Sequence, residues 1–149
     1  MTEDTAATTA VPGQRDPATA SREPTQDHVT VSMPAEGAYL SVLRTATAGL
    51  AARLDFTLDE IEDLRIAVDE ACAILLSVAP AQTEVTSQFE VTDSALSIDV
   101  SVPASGRATL PGGNSFSWQV LTALAGEVSA RTDNGRAAIR LTKRRSPAG

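Results

Sequence analysis

The order in which hydrophobic periodicity changes along the chain is the strongest constraint on its fold. Val29, Val31 and Met33 alternate with Thr30 and Ser32 and stop at Pro34, which is the period of a strand. From Glu36 the spacing switches: Tyr39, Leu40, Leu43, Ala46, Leu50 and Leu54 recur at three- and four-residue steps, an amphipathic helix weakened by Gly49. Thr57 and Glu60 form a Ser/Thr-x-x-Glu capping box, with Phe56 and Ile61 placed as its apolar staple. The helix they open is expected to run to about Ala79 and to end at Pro80. Two alternating runs follow, Val85 to Val91 and Leu96 to Val102, forming a hairpin around Thr92-Asp93-Ser94. Ala104 to Asn114 is rich in Gly, Pro, Ser and Ala and reads as a loop. Ser115 caps a third helix carrying Trp118, Leu121, Thr122, Leu124 and Ala125. Strands Val128 to Thr132 and Ala137 to Thr142 close the chain around an Asp133-Asn134-Gly135 turn.

Strand, two helices, two strands, loop, helix and two strands is not an alternating β-α repeat, which excludes a parallel doubly wound sheet. The pattern predicts an α+β fold: a two-layer sandwich of a mixed, largely antiparallel sheet with about three helices on one face. No internal repeat is present. At 149 residues the chain is the size of one domain. Residues 1–27 are dominated by Thr, Ala, Pro and charged side chains with little to bury, and are expected to form a disordered tail. Residues 28–143 form the domain, and 144–149 a short basic tail.

Composition removes whole classes of function. The formal charge is −7 and the aromatic share 3%, a poor match to a phosphate backbone or a base-stacking platform, so no direct nucleic acid is expected. A single cysteine, Cys72, excludes an internal disulfide and a cysteine zinc cluster; a single histidine, His28, removes most histidine metal sites. No metal site is therefore expected. No apolar run is long enough to cross a membrane, and no secretory signal opens the chain; a cytoplasmic protein without membrane contact is the expectation.

The second helix concentrates the charge. Seven acids lie between Asp55 and Glu70 against the one base Arg65, which suits the helix dipole and a wet outer face. At 100° per residue, Ile61, Leu64, Val68, Ala71, Cys72 and Leu75 share the face toward the sheet. Glu70 stands on the other side near Ile66, Ala67 and Ile74, so that face is either covered or lines a cleft, and its carboxylate is of interest if something binds there.

The run from Glu36 through Tyr39 to Arg44, then Phe56 through Glu70 to Ala71, resembles the anti-sigma-factor serine/threonine kinases, members of the gyrase and histidine-kinase ATPase superfamily. The similarity continues at Leu124-Ala-Gly-Glu-Val128 and in the strand from Gly135 to Lys143, and Phe116 to Trp118 looks closest to the actinobacterial anti-sigma-F branch. The resemblance implies a histidine-kinase-like ATPase fold, a homodimer, and a nucleotide site with a Glu general base and a magnesium-binding Asn four residues later on one helix face. Glu70 matches the base, but Ile74 stands where the Asn should be. The family's Asp-x-Gly, whose carboxylate holds the adenine amino group, matches Ala104-Ser105-Gly106 without its carboxylate. Its Gly-x-Gly, whose amides cradle phosphates, falls near Gly112 and Gly113 with Ser115 and Ser117 in glycine places, after a loop short for a lid.

These departures favour a binding protein over an enzyme. The expected function is an anti-sigma factor that sequesters an alternative sigma factor and is released by an anti-anti-sigma protein. No cofactor is required, and weak ATP binding with magnesium through Glu70, Ile74, Gly106, Gly112 and Gly113 is left open. Tyr39, Arg44, Arg53, Asp59 and Asp63 are the candidate partner contacts, with acidic surface steering a basic partner. The alternative is an active ATP-dependent serine kinase acting on the anti-anti-sigma partner, with Glu70 as base; a blander third reading is a scaffold for an unrelated partner. Cys72 reads as a buried hydrophobe and Trp118 as a core or rim residue with the option of filling the nucleotide pocket, while Ser115 and Ser117 lack the histidine a nucleophile would need.

Overall fold

The computed structural model describes residues 26–146. The elements run β1 (Gln26–Pro34), a single 3-10 turn (Gly37–Tyr39), α1 (Leu40–Arg53), α2 (Leu58–Leu76), β2 (Glu84–Thr92), β3 (Ala95–Pro103), α3 (Phe116–Ala125), β4 (Glu127–Asp133) and β5 (Arg136–Arg144). The expected tail up to residue 25 lies outside the described residues, as do residues 147–149. β1 begins at Gln26, two residues before the expected domain boundary, because Gln26 pairs with Thr92 and its amide donates to Glu90 across the ladder.

The five strands lie in the order β1-β2-β3-β5-β4. Every pairing is antiparallel, so the sheet is more uniform than the mixed one expected; the crossover through α3 brings β5, not β4, beside β3. One-residue alternation sends Phe89, Leu96, Ile98, Val100, Ile139 and Leu141 to the helix side, where Leu43, Leu64, Leu75 and Leu121 meet them at zero to 1% exposure. Each such side chain contributes roughly 1.5–3 kcal/mol by leaving water, so this layer is the main source of stability. α2 is the middle helix: α1 packs on one flank and α3 on the other, over β3 and β5.

The outer sheet face is polar and held together by its own charges. Arg131 of β4 donates to both oxygens of Asp99 on β3 at 2.9 and 3.3 Å, and Arg140 of β5 lies 3.8 Å from Asp99 while donating to Glu90 of β2 at 2.9 Å. These arginines cover Asp99, whose exposure is 7%, beside the likewise buried Ser97 and Ala138. Bonding to Asp99 in turn raises the Arg131 guanidinium above its ordinary pKa.

Local chemistry explains the ends of the elements. The hairpin between β2 and β3 turns on Asp93-Ser94, with Thr92 Oγ1 accepting the Ala95 amide at 3.1 Å. Asn134 and Gly135 both have positive φ, at 50° and 74°, which is what a two-residue turn between twisted strands requires. α2 stops at Leu76 rather than Ala79, because the Ser77 hydroxyl donates to the Ile74 carbonyl and Ser77 to Ala79 continue as a turn.

Candidate functional site

The two flanks of α2 carry the candidate residues, and neighbouring contacts fix which flank is which. Arg44 of α1 donates to Asp69 at 2.7 Å, so Asp69 marks the α1 side. Lys143 of β5 lies 3.7 Å from Asp63 and donates to the Leu124 carbonyl at the end of α3 at 2.8 Å, so Asp63 marks the α3 side. Counting from Asp63 in three- and four-residue steps reaches Ala67, Glu70 and Ile74, which places Glu70 on the flank beside α3. Glu70 is half-buried, while Ala67 and Ile74 are buried, Ile74 at 8%. The second apolar face expected around Glu70 is thus covered where Ala67 and Ile74 stand and open at Ile66, which is 44% exposed.

The loop from Ala104 to Asn114 and the first turn of α3 complete this side. Ala104 is buried in the core at 9% exposure, and its N–H donates to the Gly135 carbonyl at 2.9 Å. Ala108, Leu110 and Trp118 pack partly buried against the same core. The Gly112 carbonyl accepts both the backbone N–H of Ser115, at 3.0 Å, and its hydroxyl, at 2.9 Å. That hydroxyl oxygen in turn accepts the Trp118 N–H at 3.1 Å, the expected N-cap. A Cβ added at Gly106 or Gly112 would meet nothing within 4 Å, and one at Gly113 would meet only Trp118 Cδ1 at 3.8 Å. No close backbone approach therefore demands glycine at these three places. Trp118 occupies the rim beside Gly113.

The residues present do not fit a magnesium-bound nucleotide. Ile74 offers no oxygen to a cation and is committed to the core. Ala104 has no carboxylate and a spoken-for amide, and Ser115 already uses an N-terminal amide of α3 that a phosphate would take. Glu70 keeps its carboxylate and makes no hydrogen bond or ion pair among the described residues. Hollows lined by Leu110, Pro111, Ala130, Arg131 and Thr132, by Glu127, Val128, Ser129, Arg140 and Thr142, and by Asp27, Arg53, Leu54, Val91, Thr92, Asp93 and Arg145 all lie away from Glu70 and Ile74.

The five candidate partner contacts do not form one patch of equal freedom. Tyr39, Arg53 and Asp59 are exposed. Arg44 is engaged with Asp69, and Asp63 faces Lys143. Exposed apolar residues that periodicity alone did not flag stand near them: Val42 on α1 and Leu58, 85% exposed, in the acidic first turn of α2. Phe116, 80% exposed, is their counterpart on α3. Glu60, counted in the acidic surface, is instead buried. Its carboxylate accepts the Thr57 N–H at 2.8 Å, the Ser146 N–H at 3.1 Å and the Ser146 hydroxyl. These bonds, led by the Ser146 hydroxyl, hold Glu60 below the usual carboxylate range. The C-terminal segment, expected as a short basic tail, is thus hydrogen-bonded to α2 through Ser146. Burial, with the Asp69 charge adding to it, pushes the Cys72 thiol up to about 12, so it stays a protonated core side chain.

No family model matches the chain. Among curated proteins it is similar to the serine-protein kinase RsbW of Bacillus subtilis (strain 168), 36% identical over 77 residues, covering 50% of this chain and 48% of that protein. Its similarity to the RsbW of Bacillus velezensis is the same in identity and coverage, and the RsbW of Bacillus cereus (strain ATCC 10987) is 33% identical over 76 residues. The chain thus spans about half the length of the curated relatives it matches. Among solved structures, the RsbU and RsbW domains of a Mycobacterium tuberculosis protein match with a TM-score of 0.61 at 15% identity, over 82% of this chain and 34% of that one. That likeness shows the fold. The resemblance read from the residues thus leads to the same proteins as the comparisons, and the α+β fold expected with it is the fold observed. No helix among the described residues is long and apolar enough to cross a membrane.

Proposed function

We propose that this chain is an anti-sigma factor that works by binding: it sequesters an alternative sigma factor and yields it when an anti-anti-sigma protein competes. The observation that carries this reading is Ile74, an apolar core residue at the helix position where the family resemblance implies a metal-binding Asn. A domain resembling these kinases with an apolar core residue at that position retains binding as its output. Tyr39, Val42 and Arg53 on the α1 side, with Asp59 and Leu58 at the head of α2, offer the exposed mixture of apolar and charged groups that protein interfaces use. Arg44 and Asp63 join them only when a partner displaces Asp69 or Lys143. We take the protein to act in the cytoplasm as a homodimer without a nucleotide.

A second reading, an ATP-dependent serine kinase acting on the anti-anti-sigma partner, draws support from the name of the relatives and from Glu70, which is half-buried and free of internal hydrogen bonds among the described residues. Calorimetric titration with magnesium-ATP separates the two. The binding reading expects no saturable heat at millimolar nucleotide, together with stable co-elution with one of the host's alternative sigma factors. Saturable micromolar binding, with phosphate transfer to the anti-anti-sigma protein lost in Glu70→Ala, would establish the kinase instead. Failure to co-elute with any host sigma factor would remove the anti-sigma reading.

A further inference from the structure

We propose that Ser146 is a phosphorylation site, and that its modification releases the segment following β5 from the first turn of α2. This goes beyond the proposed function and does not depend on which partner the domain holds.

The contact is specific. The Arg145 N–H extends the ladder to the Ser94 carbonyl at 2.7 Å, and its guanidinium reaches the Leu54 carbonyl at 3.5 Å. Ser146 then gives both its N–H and its hydroxyl to Glu60 Oε2, while Glu60 Oε1 accepts the N-cap amide of Thr57. One carboxylate thereby ties the chain's last described residues to the start of a helix 86 positions away. Ser146 is nonetheless an exposed residue, and it follows Lys143-Arg144-Arg145; no other serine of the chain has two basic residues immediately before it. A cationic run leading into an exposed hydroxyl complements the acidic cleft of a basic-site-directed serine kinase.

Phosphorylation reverses the sign of the contact. The Ser146 Oγ–P bond forms as the γ-phosphorus of a nucleoside triphosphate parts from the β,γ-bridging oxygen; the nucleoside diphosphate leaves and the hydroxyl proton goes to the modifying kinase's base. A donor becomes a group of about −1.5 to −2 charge beside the Glu60 carboxylate, with Asp59 in the same turn. The nearby cations are already committed: Lys143 to the Leu124 carbonyl and Asp63, Arg144 to Glu127 at 2.8 Å, and Arg145 to Leu54. Repulsion from Glu60 takes the place of the two bonds it accepted from Ser146, and the segment leaves.

The test incubates the full-length protein with magnesium-ATP and a purified basic-site-directed serine kinase, maps the phosphate by mass spectrometry, and follows amide hydrogen exchange. Phosphate is expected at Ser146 and not in Ser146→Ala. The modified protein should lose about tenfold or more of the protection at the Ser146 amide, the scale set by a lost charge-assisted hydrogen bond, with a smaller loss at the adjacent Arg145 amide, while amides in the second half of α2 are unchanged. Ser146→Glu should reproduce that loss, and Ser146→Ala, which keeps its backbone bond to Glu60, should lose less. No phosphate at Ser146, or a phosphorylated protein with unchanged protection at both amides, would overturn the proposal.

Discussion

The first turns of α2 and α3 are built alike and supported differently. Each opens with a hydroxyl N-cap whose oxygen accepts the amide three residues on, Thr57 for Glu60 and Ser115 for Trp118, both at 3.1 Å. Each exposes one large apolar residue directly after the cap, Leu58 and Phe116. At α2 the cap is reciprocated by Glu60, and Glu60 is itself clamped by Ser146. At α3 the cap is answered only by its own loop, through the Gly112 carbonyl. A local signal sets where each helix begins, whereas remote contacts decide how firmly. The labour is divided accordingly: the α2 end is part of the domain's frame, and the α3 end borders the flank where the family resemblance implies a nucleotide site.

The largest effect expected from sharpening this contrast comes from trying to restore that site. Ile74→Asn gives α2 an oxygen for a cation but places an amide where a buried apolar side chain packed. The lost burial and the unpaired amide should cost about 3 kcal/mol in urea unfolding, and magnesium-ATP should still give no saturable heat. A variant that stays fully stable and binds nucleotide would show that the flank is open after all. Glu60→Ala comes next, at about 2 kcal/mol, because it removes half of the capping box together with both bonds to Ser146. Ser115→Ala should cost about 1 kcal/mol, the scale of a lone N-cap. Equal losses at Glu60 and Ser115 would erase the distinction between the two ends.

Acid provides a second way to break it. Glu60 has a lowered pKa in the folded protein, so the stability it lends is fully present above the ordinary glutamate value of about 4.3 and disappears as pH falls through the folded value. The stability gap between the wild type and Glu60→Gln should therefore be widest near neutral pH and close on acidification below about pH 4. Ser115 carries no titrating group, so the gap between the wild type and Ser115→Ala should stay level over the same range. A Glu60→Gln gap that did not close would mean the carboxylate's charge is not what holds the α2 end.

What could be read in advance follows the same division between local and remote. The capping box at Thr57, the N-cap at Ser115 and the turn at Asn134-Gly135 were legible because each is complete within four or five residues. The alternation in β2, β3 and β5 was legible because large apolar side chains on the helix side alternate with polar or small ones on the other, and it delivered the two-layer arrangement. The clamp of Ser146 on Glu60 was not legible, since nothing near Ser146 in the chain announces a partner 86 residues away. For the same reason Arg44 and Asp63 looked like free surface charges, although Asp69 and Lys143 answer them. Glu70 and Ile74 could be placed on one flank by counting, but the burial of Ile74 depends on α2 having a helix on each side.

The smallest expected effect lies at the joint between α1 and α2. The Phe56 N–H donates to the Ala51 carbonyl at 3.3 Å and the Asp55 N–H to the Ala52 carbonyl at 3.1 Å, with Asp55 at φ 58°, so α1 ends in a Schellman turn whose left-handed position holds an aspartate rather than a glycine. Two effects oppose each other in Asp55→Gly. The substitution relieves the left-handed strain, but it removes a negative charge two residues before the N-cap of α2 and loosens the unfolded chain. Asp55 is exposed and lies outside the first turn, where the dipole's pull has largely fallen away. Relief of strain should therefore win by about 0.5 kcal/mol, and Asp55→Val, which β-branching makes poorest in this conformation, should lose more than 1 kcal/mol. If glycine destabilised as valine does, the charge of Asp55 would be the group that matters, and the acidic head of α2 would have to be counted as part of its support rather than as surface left for a partner.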